Sequence, residues 1–488
     1  MTAHVDLIIR NAFLIDGTGS PGYVGEIAIK DDLIVGLGNL EDISANAQID
    51  TGGKAVSPGF IDVHTHDDRA LLVDPLMSCK VSQGVTSVIV GNCGTSLAPL
   101  KISHRPPAPL DLVSKDAEGF FDEFSEYIDA LDKSPPALNA LCLVGHSSLR
   151  AEIMDNLDRP ATNQEIKHMR GRLERALEEG AIGMSTGLFY PTAVAAPTSE
   201  IIELAKALKS CGAIHTTHMR DEADNITDSL NETFKIGREA EIPVVVSHHK
   251  CAGVNNHGRT VETLPMFDKA IAQQRIGLDV YPYVASSTML DLRRMSNASR
   301  VIVTWSHTHP ECSGRDLDDI AKEWELSLVD AADKLNPAGA IYFMMDEEDV
   351  QRVLKYPHSM IGSDGLPHDE HPHPRLWGTF PRVLGHYVRE IGLFSIEEAV
   401  RKMTSLPAAQ FGMKGRGLLE VGAVADLVLF DPKTVIDLAT WDQPMTPARG
   451  IEHVWVNGQS VWCGGEVTGN RPGKALRLQD LESMGRAQ

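Results

Sequence analysis

The chain contains a pair of histidines, His64 and His66, directly after a short apolar segment that begins at a Pro-Gly turn. Residues 60–63 are predicted to form a buried strand, in which side chains two positions apart point to the same side. The two imidazoles therefore aim at one point just past the end of that strand. This geometry is typical of a metal site or a catalytic site, whereas an isolated His-x-His pair is more often two solvated loop histidines.

Further metal-binding side chains follow at the ends of later strand-like segments. Thiolate, imidazole and carboxylate are the groups that zinc binds, and three protein ligands with one open position are typical of catalytic zinc. The candidates are Cys93, His146, His218, His248 and Asp364. Because donors recur at so many strand ends, the pattern predicts a catalytic zinc site.

Several of these candidates also have simpler interpretations. Cysteine is most often a small buried core residue, and His146 is equally compatible with a substrate contact and a loop cap. His249 follows His248 directly and faces the opposite side of the strand, so we expect it to pack. Asp364 precedes a glycine, which is typical of a turn, but its position places it to accept a proton from an attacking water.

These residues require a fold that brings the ends of distant strands together. Eight short apolar segments alternate with segments of helical periodicity, at 162–179, 199–210, 226–240 and 261–274 among others. This alternation predicts a mixed α/β fold, a (β/α)8 TIM barrel with its active site at the C-terminal ends of the strands. The predicted strands are 60–63, 86–90, 140–144, 182–185, 213–218, 243–248, 277–281 and 360–364.

The two ends of the chain differ from its middle. Residues 1–57 and 412–488 contain short strands and turns, so we predict that they pack together as one small β-sandwich-like domain. The metal-dependent barrel is predicted to cover residues 58–411. The connection after the seventh strand far exceeds an ordinary loop, so we predict an inserted substructure or lid at about residues 285–348.

Composition and charge restrict the partners. The 488 residues include 45 Lys and Arg against 67 Asp and Glu, a net charge of −22, which argues against nucleic acid or an anionic membrane. It is compatible with a small anionic substrate. There is no uncharged apolar run long enough to span a membrane. Seven scattered cysteines indicate a reducing cytoplasm, and an oligomer is compatible with the sequence.

Eight segments together suggest a family. They are residues 57–68, 83–86, 91–94, 217–222, 247–250, 339–346, 362–367 and 373–378. The chain resembles the amidohydrolase superfamily and, within it, the N-acyl-D-amino-acid deacylases, or D-aminoacylases, from the first strand to about residue 465. The motif Gly91-Asn92-Cys93-Gly94, with its cysteine ligand, separates these deacylases from related amidohydrolases.

The resemblance implies two adjoining metal sites. One would bind zinc tightly, and the other would be weakly metallated or empty. Asp364 would act as general base and then general acid. The tight site would be formed by Cys93, His218 and His248, and the second site by His64, His66 and Asp364.

The resemblance also implies how the substrate is bound. Basic and hydroxyl groups would hold its α-carboxylate, and Tyr190 would either donate to the developing oxyanion or simply pack. Arg375 would either meet an acidic side chain or brace its loop, and two adjacent arginines leave open which of them faces the substrate. The matching carboxylate-binding positions are Lys250, Tyr281, Ser287 and Arg294.

The implied reaction is zinc-dependent hydrolysis of N-acyl-D-amino acids to a free D-amino acid and a carboxylate. Segment 291–297 differs between subgroups, so selectivity for N-acyl-D-glutamate or N-acyl-D-aspartate stays an alternative. A cyclic-amide hydrolase of the dihydropyrimidinase type usually carries a carboxylated lysine at the end of strand 4, where this chain has Ser185-Thr186-Gly187. A nucleobase deaminase and a metal-free scaffold are weaker alternatives.

Overall fold

A closed ring of eight strands forms the centre of the protein. The computed structural model describes residues 4–481. Neighbouring barrel strands pair in parallel, and Asn139–Cys142 continues as Val144–Gly145, which pairs with Gly183–Gly187. A parallel bridge between Thr65 and Gly365 joins the first strand to the last. The barrel strands are β1 (Phe60–Asp62), β2 (Val85–Val90), β3 (Asn139–Cys142), β4 (Gly183–Gly187), β5 (Ile214–His218), β6 (Val244–Val246), β7 (Ile276–Val280) and β8 (Ser359–Ile361). The prediction of a (β/α)8 barrel is confirmed.

Helices cover the outside of the ring. The helix Asn163–Glu178 begins at the predicted capping box, in which the Thr162 hydroxyl accepts from the Glu165 amide and the Glu165 carboxylate accepts from the Thr162 amide. No helix within residues 4–481 is long and apolar enough to cross a membrane. The α-helices around the barrel are Ala70–Val73, Ser78–Val81, Phe124–Lys133, His146–Ile153, Asn163–Glu178, Thr198–Lys209, Ile226–Ala240, Thr260–Ile271, Glu347–Lys355, Arg375–Arg382, Ile396–Met403 and Ser405–Gln410. Shorter or wider helical turns are Leu110–Leu112, Ala117–Gly119, Val254–Asn256, Val383–Glu390 and Leu478–Asp480.

Strands from both ends of the chain form a single nine-stranded sheet. Ala55–Pro58 pairs in antiparallel fashion with Leu427–Phe430, which joins the N-terminal and C-terminal parts. The strands are His4–Leu14, Tyr23–Lys30, Leu33–Gly38, Ser44–Asp50, Ala55–Pro58, Leu427–Phe430, Ile451–Val456, Gln459–Cys463 and Glu466–Val467. The short strand Ala475–Leu476 instead pairs with β3. The domain limits stay a prediction, and residues 1–3 and 482–488 of the predicted small domain lie outside the described residues.

The long connection between β7 and β8 forms a three-stranded antiparallel sheet of its own. Its strands are Ala285–Met289, Arg300–Ser306 and Ala338–Phe343, and its helical segments are Leu292–Met295, Pro310–Cys312, Leu317–Glu323 and Leu328–Leu335. The inserted strand Ala285–Met289 contacts the barrel domain, because the Ser287 carbonyl accepts from the Arg375 guanidinium at 3.2 Å. The inserted sheet therefore lies against the same end of the barrel as the predicted site.

Candidate active site

Three predicted site residues have a left-handed backbone, which is uncommon for residues other than glycine. Their φ angles are 54° at Cys93, 36° at His248 and 50° at Asp364. Each lies two or three residues beyond the end of its strand, β2, β6 or β8 respectively. Residues in such conformations cost on the order of 1–3 kcal/mol each and cluster at functional sites. For the same reason β8 ends at Ile361, earlier than the predicted strand 360–364.

The Cys93 thiol lies among imidazoles contributed by three other strands. Its Sγ is 3.2 Å from His64 Nε2 and 3.5 Å from His248 Nε2. The rings of His218 and His248 have centroids 4.5 Å apart. One donor atom each from Cys93, His218 and His248 lies within 4.8 Å of the others, and all three side chains are buried. The three ligands that the resemblance implied for tight zinc are therefore adjacent.

A second group of donors shares the same thiol. It consists of His64, His66, Cys93 and Asp364, again with donor atoms within 4.8 Å of one another. Asp364 Oδ1 lies 3.2 Å from His66 Nε2 and 3.4 Å from His64 Nε2. A Cβ at Gly362 would lie 2.6 Å from the His64 Cβ, so the close approach of β8 to β1 requires glycine there.

The charge states of Cys93 and His218 suit a metal site. Burial lowers the pKa of His64, His66 and His248, but the neighbouring acidic groups outweigh it and raise those pKa values, so a bound metal would displace their protons. Burial alone would raise the pKa of the Cys93 thiol, but the nearby His64 and His248 lower it well below its ordinary value. Burial lowers the pKa of His218 to about 4. Metals bind the thiolate and the neutral imidazole. A buried thiolate with two imidazoles fits zinc better than magnesium or calcium, which take oxygen ligands.

Asp364 is held as a carboxylate. Burial opposes ionisation, but Arg375 and then His64 lower the pKa of Asp364 well below its usual range. Arg375 Nη1 lies 2.9 Å from Asp364 Oδ2, and the Arg375 guanidinium stacks 4.6 Å from the centre of the Tyr281 ring. The carboxylate therefore has one oxygen directed to the histidines and the other to the arginine.

Two carboxylates that sequence reasoning did not assign support the histidines. Glu222 Oε1 lies 2.8 Å from His248 Nδ1 and 2.6 Å from Lys250 Nζ. Asp279 Oδ1 accepts from the His248 amide at 2.9 Å, and its Oδ2 lies 3.4 Å from His64 Nδ1. Such outer partners orient metal-binding histidines. Both residues could have been noticed in the sequence. Glu222 is the last residue of the motif 217–222, and Asp279 is a carboxylate inside a predicted buried strand.

Lys250 is engaged by protein groups. Its ammonium donates to Glu222 at 2.6 Å and to the His248 carbonyl at 2.9 Å, and it lies 2.8 Å from His248 Nδ1. Burial, the largest effect, lowers its pKa. The observed contacts of Lys250 are therefore those of a group that supports His248. The binding of a substrate carboxylate that the resemblance implied stays a prediction.

Other predicted substrate-binding groups have buried polar atoms without a hydrogen-bond partner among residues 4–481. These atoms are Tyr281 Oη, Ser287 Oγ, Arg294 Nε and Arg375 Nε. Arg294 Nη2 also lies 3.3 Å from His218 Nε2. Buried donors without partners are costly, so these four atoms are candidates to donate to a bound ligand.

Tyr190 lies on the other side of His218. Its ring centroid is 4.9 Å from that of His218, and its hydroxyl is 3.2 Å from Thr288 Oγ1 of the inserted sheet. Burial raises its pKa, so the phenol stays protonated and is able to donate. A cavity of about 230 Å³ beside this region is lined in part by Phe189, Glu222 and Arg294.

Two further histidines named from the sequence lie outside both donor groups. His146 Nε2 lies 3.0 Å from Glu200 Oε1, in a buried cluster with Arg150. His249 Nε2 lies 2.9 Å from Thr263 Oγ1 and its ring packs edge-on against Phe267. Both histidines therefore have structural partners.

Comparison with known proteins gives consistent results. A family model described as "Amidohydrolase family" matches residues 47–301 and 325–462. A D-aminoacylase from Alcaligenes xylosoxydans xylosoxydans is 54% identical over 96% of this chain and 97% of its own length. From the same organism, an N-acyl-D-aspartate deacylase is 50% identical over 98% of this chain and 96% of its own length. An N-acyl-D-glutamate deacylase from that organism is 44% identical over 98% and 97% of the two chains.

Solved structures agree with these relatives. A D-aminoacylase studied for its binuclear metal centre, with one-metal activation and second-metal attenuation, superposes with a TM-score of 0.95 at 53% identity, covering 97% of this chain and all of that one. An N-acyl-D-glutamate deacylase from Bordetella bronchiseptica, complexed with zinc and a phosphonate mimic of the tetrahedral intermediate, gives a TM-score of 0.94 at 44% identity over 97% and 100% of the two chains. An L-hydantoinase from Arthrobacter aurescens, at 16% identity, a TM-score of 0.59 and 97% and 100% coverage, shares the fold.

Proposed function

The chain belongs to the amidohydrolase family, and on that premise we propose that it uses zinc to hydrolyse the amide bond of N-acyl-D-amino acids. One observation carries this proposal. The Cys93 thiolate lies within 3.5 Å of the imidazoles of His64 and His248, and the Asp364 carboxylate adjoins the same cluster. The products are a free D-amino acid and a carboxylate.

The site has the donors that zinc needs. Cys93, His218 and His248 would hold the ion tightly, and His64, His66 and Asp364 would form a weaker second site that shares the thiol. A bound zinc ion supplies Lewis acidity, which polarises a carbonyl group and acidifies water. The relatives with metal centres and bound zinc support this assignment.

Asp364 moves the proton in this proposal. Its carboxylate is ionised and faces His64 and His66 through Oδ1. It accepts a proton from the attacking water as the new C–O bond forms, and it returns that proton to the amide nitrogen as the C–N bond breaks. Arg375, 2.9 Å from Oδ2, fixes the direction of the carboxylate.

Four groups bind and orient the substrate. The hydroxyls of Tyr281 and Ser287 and the guanidinium groups of Arg294 and Arg375 offer donors to its carboxylate. Arginine suits this role because its planar fork matches both carboxylate oxygens. Tyr190 donates its phenolic proton to the carbonyl oxygen as negative charge develops there. Lys250 supports His248 through its hydrogen bonds to Glu222 and to the His248 carbonyl.

A substrate panel tests the proposed function. The zinc-loaded protein is assayed for amine release from N-acetyl-D-leucine, N-acetyl-D-aspartate, N-acetyl-D-glutamate and their L-enantiomers. Ring opening of dihydrouracil frees no amine, so it is followed separately by the loss of ultraviolet absorbance of the ring. We expect kcat/KM for at least one D-isomer to exceed that for its L-isomer at least about 100-fold, because the carboxylate donors and the proton-accepting group lie on fixed sides of the site. Selective opening of dihydrouracil would contradict the proposal. The ranking of the three D-substrates distinguishes hydrophobic from acidic preference.

We also propose a cytoplasmic location, without nucleic acid or membrane partners. The seven cysteines form no disulfide within residues 4–481, which supports a reducing compartment. The net charge of −22 disfavours binding to polyanions. An oligomer is compatible with this proposal and is tested by measuring the mass in solution.

A further inference from the structure

One completely buried lysine has no role in the reaction described above. Lys80, in the short helix Ser78–Val81, is 0% exposed. Its ammonium donates to Asp62 Oδ2 at 2.8 Å and to Ser363 Oγ at 2.8 Å, and lies 3.3 Å from Asp67 Oδ2. Burying an ammonium is costly unless it is fully paired, so a position with these three partners requires a physical reason.

The partners of Lys80 lie directly beside the site residues. Asp62 ends β1 two residues before His64, and Ser363 comes directly before Asp364. Asp62 Oδ1 accepts from the Ser363 amide at 2.8 Å and from the His64 amide at 3.3 Å. One ammonium therefore contacts the ends of the first and the last barrel strands at once.

These two strands meet at the weakest seam of the barrel. Neighbouring barrel strands from β1 to β3 and from β4 to β8 share ladders of at least three residue pairs, and β3 pairs with β4 through the two residues of its continuation Val144–Gly145. Within residues 4–481, β1 and β8 are joined by the isolated Thr65–Gly365 bridge and by two backbone hydrogen bonds. These run from the Asp364 amide to the His64 carbonyl at 2.7 Å and from the His66 amide to the Gly365 carbonyl at 3.2 Å. The seam thus depends on side chains more than the other strand pairs do.

We propose that Lys80 is a positioning residue that pins β1 to β8 and so sets the distance of Asp364 from His64 and His66. The observed contacts favour this role over simple charge neutralisation. Neutralising Asp62 and Asp67 does not require a hydrogen bond to the uncharged Ser363 hydroxyl, whereas a link between the two strands does. We call this link, from Asp62 through Lys80 to Ser363, the brace. The consequence for turnover rests on the proposed function, but the consequence for metal binding does not.

A matched pair of variants tests the brace. Lys80→Met removes the ammonium at the seam. Lys402→Met removes another ammonium of 0% exposure, which donates to the Tyr356 and Ser359 carbonyls near the start of β8, away from the site. Both variants should unfold more easily. A purely structural role for Lys80 predicts that they behave alike in every other respect.

The first readout is a zinc titration against a competing chelator. In Lys80→Met we expect the second equivalent to bind about 10–100-fold more weakly, the range seen when outer partners of metal ligands are removed, with the first equivalent within about threefold of wild type. In Lys402→Met both affinities should match wild type. Equal losses in the two variants, or no loss in Lys80→Met, would overturn the brace.

The second readout is turnover on the best substrate of the panel. We expect kcat of Lys80→Met to fall about 10–100-fold, because a displacement near 1 Å carries such a penalty, while KM changes less than about threefold. An effect on KM with unchanged kcat would overturn the role. If the wild-type protein cleaves no substrate, the proposed function fails, and the zinc titration still decides on the brace.

Ser363→Ala provides an independent test that holds even if Lys80→Met fails to fold. It deletes one end of the brace, together with the Ser363 hydroxyl contacts to the Gly365 amide at 3.1 Å and the His64 carbonyl at 3.4 Å, and leaves the Lys80–Asp62 pair in place. We expect the second zinc equivalent to bind at least about threefold more weakly. Wild-type affinity in Ser363→Ala would refute the brace. In the double variant the losses should be less than additive, because both act through one contact.

Discussion

Glu222→Gln most clearly separates the role of the carboxylates that support the histidines from the role of the proposed zinc ligands themselves. Glu222 is buried, and its carboxylate lies 2.6 Å from Lys250 Nζ, 2.8 Å from His248 Nδ1 and 3.5 Å from His218 Nε2. Burial opposes its ionisation, but Lys250 and then His218 lower its pKa well below the usual range. The group is therefore charged at neutral pH, and glutamine removes that charge while keeping a similar shape.

The expected loss follows from what glutamine retains. Its amide oxygen still accepts a hydrogen bond, so the change is mainly electrostatic. The Lys250 ammonium loses its counter-charge beside the two imidazoles that we propose as zinc ligands. Removing outer partners of metal-binding histidines costs about 10–100-fold in metal affinity. That range corresponds to about 1.4–2.8 kcal/mol. We expect the tight zinc site to weaken by this amount.

Competition with a chromogenic chelator measures the effect without any assay of turnover. Glu232→Gln is the control, because Glu232 forms a comparable ion pair, 2.9 Å from Arg220, but touches none of the proposed zinc ligands. The control should bind zinc as wild type does. If Glu222→Gln also binds zinc within about twofold of wild type, the reasoning that Glu222 sets the basicity and orientation of His248 is refuted.

Three further predictions concern the proton-transfer group, its arginine and the seam. Asp364→Asn should lower kcat by about 10²–10⁴-fold while the zinc titration retains its first equivalent; near-normal turnover would exclude Asp364 as the base. Arg375→Met removes the positive charge that depresses the pKa of Asp364. The pKa of Asp364 then rises, so the base stays protonated up to a higher pH. The acid limb of the pH profile of kcat/KM should therefore shift to higher pH, and a limb that does not shift would contradict the assignment. Gly362→Ala places a methyl 2.6 Å from the His64 Cβ and should cost about 1–3 kcal/mol of unfolding free energy in denaturant titrations. Gly171→Ala, with nothing within 4 Å on an outer helix, should be neutral or stabilising, and equal losses in both would reject the packing argument.

The strand and helix order could be predicted because it depends on local patterns. The capping box at Thr162 and Glu165 marked the start of the helix Asn163–Glu178, and the helix Ile226–Ala240 has the bounds that its periodicity indicated. The strand-end positions of Cys93, His218 and His248 then followed from the barrel itself, since the C-terminal ends of barrel strands meet on one face.

The supporting contacts could not be predicted, because they join residues far apart in the chain. Asp279 meets His64 across 215 positions, and Lys80 meets Ser363 across 283. No local pattern encodes such pairs. The left-handed backbone at Cys93 and Asp364 was equally hidden, since non-glycine residues adopt it only where the surrounding structure imposes it.

The resemblance predicted the ligand types but not which donors were already engaged. Lys250 was expected to meet the substrate, and the structure shows its ammonium bonded to Glu222 and the His248 carbonyl. Ser287 and Tyr281, by contrast, have hydroxyls without a partner among the described residues. This difference depends on side-chain geometry, which spacing along the chain does not report.

X-ray absorption at the zinc edge, on protein loaded with one equivalent of zinc, tests the central claim most directly. If Cys93, His218 and His248 hold the ion, the spectrum contains one sulfur at about 2.3 Å and nitrogen or oxygen neighbours at about 2.0–2.1 Å, and the sulfur is lost in Cys93→Ser. A first shell of nitrogen and oxygen alone in the unsubstituted protein would contradict the account.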